Sequence, residues 1–527
     1  MRYYSLILCF LISIGCSEVM AQTPARLIQK AKAEIEKENY VNAVEALNPL
    51  IQKGSQNREA DLLVGYCYLN IPGEEEKALY HLELASQSYP LQKNPSNNAV
   101  ESHFYLAMAL HQNYKFNDAV VLYRKLLDSV KQKTLLNSIT RELEYSQNAL
   151  VLTEKPLDFQ IYSLGQAINT SSEEHSPIIA LDESTIYFTS NRPEKGMERT
   201  GGGYFESIYI SYWRDGGWTR AEKLALPGEY FGNRATVSLS ADGQTIIFYQ
   251  NEGFYGSLYM SRYSFNGWTE PVPLPEPINS TYNETHASLS SDGSSIWFSS
   301  DRPGGYGGKD IYVSYLLPDG YWGDPLNAGS NINTPLDEES PFIHPEGNTL
   351  YFSSEGHLSM GGYDIFKSER DETGVWSKAK NIGYPINTPD DDIFYLPTPD
   401  AQRVYYSSRQ TGGMGASDIY IIAFPEDDAR SLAVVASHII NPDKTPNGEA
   451  VVRVFDVESG QSQGVFRPNT LTGKFVAILP SGRNYRIELE SKGFKKINHE
   501  FFVPLRDVFG TRQRAFYVPS FILEKEE

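Results

Sequence analysis

Two histidines, His175 and His286, stand beside Glu174 and Glu284 in matching surroundings, a pairing that could ligate a metal or move protons. Other copies of the same repeat carry no His there, so both read as ordinary loop residues. Three aspartates, Asp310, Asp364 and Asp418, recur at a second equivalent position. A carboxylate there can accept hydrogen bonds from loop amides or from side chains such as Arg302 and Arg409, and no dense Asp-x-Asp-x-Asp ladder points to calcium. Acidic clusters, Asp337-Glu338-Glu339 and Asp390-Asp391-Asp392, follow repeated Ile-Asn pairs; gathered on one rim they would offer a docking surface to a basic partner. The chain has neither a Gly-x-Ser-x-Gly elbow nor a His-Glu-x-x-His helix. No catalytic, metal or cofactor-binding residue is assigned, and the expectation is a non-enzyme without a cofactor.

Charge and cysteines narrow the classes further. A formal net charge of −20 over 527 residues repels phosphate backbones, which excludes nucleic acid as an expected partner. The first residues read as an export signal: Arg2, the apolar run Leu6 to Ile14, and Val19-Met20-Ala21 before Gln22, with cleavage between Ala21 and Gln22. Gly15-Cys16 offers the alternative of lipidation at Cys16. Past that segment no apolar run is long enough to span a bilayer, so no transmembrane helix is expected in the mature chain. Only Cys67 remains after cleavage, which leaves no disulfide and makes a packing role the expected one.

The elements that position these residues fall into three modules. Residues 22–155 are rich in Ala, Leu, Glu, Lys and Gln, which favours helices. Ala31 and Ala43 are twelve apart with Leu47 following, and Ala107, Ala119 and Tyr123 repeat that spacing. Gly65, Ala78, Leu82, Ala85 and Pro90 repeat it with one insertion. Small residues at these places let paired helices approach closely. The pattern resembles tetratricopeptide repeats, three of them with a capping helix around Ile139 to Leu152, and implies a concave partner-binding surface.

Residues 156–427 change to Tyr, Ser, Gly, Ile and Trp. Apolar triplets beginning at Ile186, Ile246, Ile296, Leu350 and Val404 are 60, 50, 54 and 54 apart, and each follows a turn signal such as Asp242-Gly243. Trp218, Trp268, Trp322 and Trp376 repeat at 50, 54 and 54. Four strands per copy give a β-propeller of about five blades, with residues 157–168 either closing the last blade or forming a degenerate extra one. These residues resemble TolB-type, WD-like propeller repeats.

Residues 428–527 keep strands but lose the blade motifs. Asp-x-x-Ser-Gly, Thr-Gly-x-Phe, Leu-Pro-x-Gly, Tyr-x-Ile and Gly-Phe in order resemble a carboxypeptidase-regulatory-type β-sandwich, which implies an accessory, non-catalytic domain. The whole order, with residues 1–21 as leader, resembles PorE-type envelope proteins of Bacteroidetes. That resemblance implies an exported protein, periplasmic or associated with the outer membrane, that holds other envelope proteins in type IX secretion or gliding machinery. Such relatives usually continue into an OmpA-like peptidoglycan-binding domain; the sequence here runs from the sandwich strands to Glu527, so gripping the cell wall is not carried over. The alternative reading is a glycan- or peptide-binding propeller.

Overall fold

The computed structural model describes residues 23–51, 57–93, 95–199, 203–252, 255–409, 412–425, 432–504 and 515–526. Cys16, Ala21 and Gln22, and with them the expected lipidation and cleavage, lie outside the described residues. Two compact units are present: residues 1–156 with 358–362 and 383–391, and residues 157–357 with 363–382 and 392–527.

In the first unit seven helices follow one another: α1 (Pro24–Ile35), α2 (Tyr40–Ile51), α3 (Arg58–Leu69), α4 (Glu75–Ser88), α5 (Asn97–Gln112), α6 (Phe116–Ser129) and α7 (Lys133–Leu152). Asn57 and Ser96 cap α3 and α5 by accepting from Ala60 N at 3.2 Å and Ala99 N at 3.3 Å, which satisfies backbone donors that a helix start leaves open. The expected capping helix begins earlier, at Lys133. Ala31, Ala43, Ala78, Ala85, Ala107 and Ala119 are all fully buried, as are Leu47, Leu82 and Tyr123. The small residues bring backbones together and the large ones fill the next groove. Gly65 shows how tight this is, since a Cβ there would stand 2.5 Å from Leu82 Cγ.

Cys67 is buried in the same layer, and burial pushes its thiol up to about 12, so it packs rather than reacts. His111 Nε2 lies 2.8 Å from the carbonyl of Met360 and can only donate there; Nδ1 then accepts from Ser146 Oγ at 2.9 Å. That bond ties α5 to α7 and both to residues 358–362 of this unit.

The second unit opens with five consecutive antiparallel sheets forming a propeller-like region. Their first strands are Glu174–Ile179, Arg234–Leu239, Glu284–Leu289, Glu338–Ile343 and Leu396–Pro397. Gln160–Ser163 pairs with Asp418–Ala423 of the last sheet, so the chain's earliest strand completes the sheet made by its latest ones. Of the two readings of residues 157–168, the closing strand is the one observed.

Asparagine side chains in the segments between sheets tie each segment to the third strand of the sheet it leaves. Asn279 accepts from Leu258 N at 3.0 Å and donates to Leu258 O at 2.8 Å. Asn333 does the same to Ile311 at 2.8 and 2.9 Å, and Asn169 to Ile419 at 2.9 Å in both directions, across the closing seam. Each amide thus acts as an extra residue of the neighbouring strand, satisfying one N–H and one C=O that would otherwise be buried bare. Trp218, Trp268, Trp322 and Trp376 pack against the apolar layers between sheets; Trp376 meets Trp297 edge-on at 5.2 Å.

Two further four-stranded sheets follow and share one core of Val435, Val452, Phe475, Leu479, Tyr485 and Ile487. Strict alternation does this: in Val451–Asp456, Val452 and Val454 are buried while Arg453 faces out to Glu490 at 2.7 Å. These sheets rest on the propeller-like region. Thr470 Oγ1 donates to Gln244 Oε1 at 2.7 Å, and Lys474 is ion-paired with Asp182.

Replacing Asn333 by Ala should lower unfolding free energy by about 2–4 kcal/mol, because Ile311 loses two buried backbone partners. Asn331→Ala, at an exposed position, should cost about 0.5 kcal/mol or less by the same urea titration. Gly65→Ala should destabilise the helices by about 1–2 kcal/mol despite its better helix propensity, and should be less than additive with Leu82→Ala in a double-mutant cycle.

Candidate functional site

A polar cradle recurs where the first strand of a sheet begins. Glu174 is fully buried and accepts from Thr170 N and Thr170 Oγ1, both at 2.7 Å, and from Ser190 Oγ at 2.7 Å, while Arg192 reaches it at 3.1 Å. Glu284 repeats the set with Ser280, Ser300 and Arg302, whose guanidinium also donates to Ile278 O at 2.7 Å. Glu338 keeps Thr334 and Ser354, but His357 takes the arginine's place and donates to Ile332 O at 2.8 Å instead. Burial then pushes the Glu338 carboxyl up to about 7, against the pull of the Thr334 and Ser354 hydrogen bonds.

The first strands of all five sheets line an axial channel. Ile178, Val237, Phe342 and Leu396 border the cavities at both ends and narrow the passage between them with apolar side chains. Near their starts the first strands slip register against their partners, between His175 and Ile178, Thr236 and Ser238, Glu284 and Ala287, and Glu339 and Phe342. Ser176 and Ser340 sit in these irregularities with φ of 50°. Such bulges re-aim side chains, and here they bring His175, His286, Glu339 and Phe394 to one mouth of the channel.

Phe394 stands between the histidines, its ring 5.8 Å from that of His175 and 5.3 Å from that of His286. His175 Nδ1 lies 2.7 Å from Ser176 Oγ and Nε2 is 3.4 Å from Glu206. Burial alone would depress His175, but Glu206 outweighs it and raises the imidazole above its ordinary value, holding Glu206 below its own. His286 and Lys309 both pair with Glu339. Although burial works the other way, these two cations hold Glu339 well below the carboxylate range, and Glu339 keeps Lys309 charged. The mouth therefore carries paired, fixed charges around one aromatic ring.

Asp310, Asp364 and Asp418 sit at the starts of third strands. Asp310 accepts from Tyr306 N at 2.6 Å, Gly307 N at 3.0 Å and Asn327 Nδ2 at 2.7 Å; Asp418 accepts from Met414 N at 2.5 Å and Gly415 N at 3.1 Å; Asp364 accepts from Asn381 Nδ2 at 2.7 Å. Arg302 and Arg409, expected as partners for these acids, pair with Glu284 and Glu173 instead. The expected acidic docking rim needs a larger correction. Glu338, Glu339 and Asp392 are buried and Asp337 is half-buried, accepting from Lys309 N at 3.0 Å; only Asp390 and Asp391 of the six are exposed. The strand turns these acids inward, where Glu338 meets Thr334 and Ser354 and Glu339 meets Lys309 and His286. Reading His175 and His286 as ordinary loop residues also missed their meeting across Phe394, and Phe394 carried no sequence signal. Among the described residues no group of three or more His, Cys, Asp or Glu side chains is placed to hold a metal ion.

No protein-family model matches the chain, and no curated protein matches it in sequence. Among solved structures, TolB from Acinetobacter baumannii is similar at 15% identity and TM-score 0.32 over 55% of this chain and 71% of that one. A TolB-type structure from Agrobacterium tumefaciens gives 14% and 0.31 over 49% and 78%. An endo-arabinase from Bacteroides thetaiotaomicron gives 15% and 0.33 over 52% and 99%. At these scores none of the three bears on what the chain does.

Glu338 supplies a pH prediction. The folded state keeps its proton to about pH 7 while the unfolded chain releases it near 4.5, so this group's contribution to stability falls as pH rises between those values. Glu338→Gln does not titrate. Relative to wild type it should therefore gain on the order of 2 kcal/mol between pH 4.5 and 8, read as converging or crossing thermal melting curves.

Proposed function

We infer that the chain is a non-enzymatic, exported scaffold of the cell envelope. In this reading the helices are tetratricopeptide-like, the five sheets are the blades of a TolB-like propeller, and the last two sheets form a regulatory-type sandwich. The protein works in the periplasm or at the outer membrane, binding subunits of secretion or gliding machinery. What supports this is the use made of the repeated polar residues. Glu174, Glu284, Asp310 and Asp418 spend their carboxylates on loop amides, hydroxyls and arginines, and Asn169, Asn279 and Asn333 are spent on neighbouring strands. Conserving geometry in this way suits a rigid body that presents surfaces.

The second reading, a glycan-binding propeller, draws on the Phe394 ring at the channel mouth, since sugars stack on aromatic faces.

Affinity purification of the tagged protein from detergent-solubilised envelopes of its host, followed by mass spectrometry, separates them. The scaffold reading expects secretion or gliding subunits that disappear when residues 23–154 are deleted. Recovery of polysaccharide without protein partners would replace it with the glycan reading.

A further inference from the structure

In the helical unit α1, α3 and α5 touch in succession and form one layer of the stack. A row of tyrosines crosses it. Tyr40, at the start of α2, meets Tyr66 of α3 edge-on at 6.1 Å, and Tyr66 meets Tyr105 of α5 at 4.8 Å with the rings tilted by 46°. All three are half-buried, so each keeps some surface in solvent. Carboxylates flank both ends of the row. Exposed Glu38 opposes ionisation of Tyr40 and Tyr66, and Glu101, one helical turn before Tyr105, does the same there. Glu101 is itself half-buried, and among the described residues no hydrogen bond or ion pair reaches it. Burial pushes its carboxyl up against the weaker pull of Lys32, which gives its ammonium to Glu59 at 2.6 Å. A carboxylate removed from water without a cation costs stability, so Glu101 does not serve the packing of the helices.

We propose that this layer docks an arginine side chain of a partner protein, its guanidinium stacked on the Tyr66 and Tyr105 rings and bonded to Glu101. A planar guanidinium suits both contacts. It lies flat on aromatic faces and presents paired N–H donors to a carboxylate, which a lysine ammonium does not. With Glu38, Glu59 and Glu101 set against Lys32 alone, the charge of this face favours a cationic segment over an acidic one. The inference rests on the scaffold reading and names the chemistry by which one partner is held.

The test places 3-fluorotyrosine in the chain from Gln22 onward and titrates it with N-acetylargininamide. The fluorine resonances of Tyr66 and Tyr105 are assigned through Tyr66→Phe and Tyr105→Phe. Both should shift saturably at roughly millimolar ligand. The neutral citrulline analogue should shift neither, and the lysine analogue should bind about fivefold more weakly. Glu101→Gln should weaken argininamide about fivefold or more. It should also melt at or above the wild-type temperature, because it removes a carboxylate that no partner compensates, whereas a merely structural Glu101 would lower it. No saturable shift, equal binding of the citrulline or lysine analogue, or unchanged affinity in Glu101→Gln would overturn the proposal, as would a lower melting temperature of that variant. Envelope partners recovered by Glu101→Gln as by wild type would also sink it while leaving the scaffold reading intact. Wild-type chain that recovers no envelope protein sinks the scaffold reading, and the titration still decides the chemistry of the tyrosine row.

Discussion

In the propeller-like region an asparagine amide ties the segment leaving a sheet back to that sheet's third strand. Asn169, Asn279 and Asn333 each offer one donor and one acceptor to a single residue of that strand, copying the exchange between paired strands. A shorter side chain would not reach, and aspartate would lack the donor. Because Asn169 does this at the seam where Gln160–Ser163 meets the last sheet, ring closure uses the same device as the other junctions. The amides thereby fix where each connecting segment departs toward the next first strand.

Buried carboxylates are the second constraint. An ionised group removed from water must be compensated by charge or by hydrogen bonds, and two cradles use both through Arg192 and Arg302. The Glu338 cradle does without the arginine and leaves its carboxyl easy to protonate. At the histidine-lined mouth Glu206 and Glu339 are held ionised, and they in turn raise His175 and Lys309. The two mouths therefore differ in kind. One holds charges already paired around Phe394, and the other is walled by apolar side chains such as Leu181, Leu239 and Leu289.

Much of the architecture was legible because it follows from period and residue size. Twelve-residue spacing of Ala31 and Ala43 told where helices touch, and both are fully buried. Repeats of about 50 residues with Asp-Gly turns told how often a sheet recurs. The strand at Gln160–Ser163 was one of two open readings, because whether an early strand joins a late sheet depends on contacts far apart in sequence. The acidic clusters misled for a related reason: charge suggests solvent, but Glu338 is buried among backbone and hydroxyl donors with its proton easily regained, and Glu339 is buried against Lys309 and His286.

Sequence alone determined the helical start, the spacing of the repeated β units, the turns between their first and second strands, and the small residues that allow close packing. These are properties of neighbours along the chain, where propensity and periodicity act. Tertiary structure decided which polar residues meet. His175, His286 and Glu339 come from three different sheets and Phe394 from the segment that leads into a fourth, and register slips of one residue aim the first three toward a common axis. The apolar walls of the other mouth, Leu181, Leu239 and Leu289 among them, are likewise brought together only when the ring closes, because no local rule fixes the distance between turns some fifty residues apart.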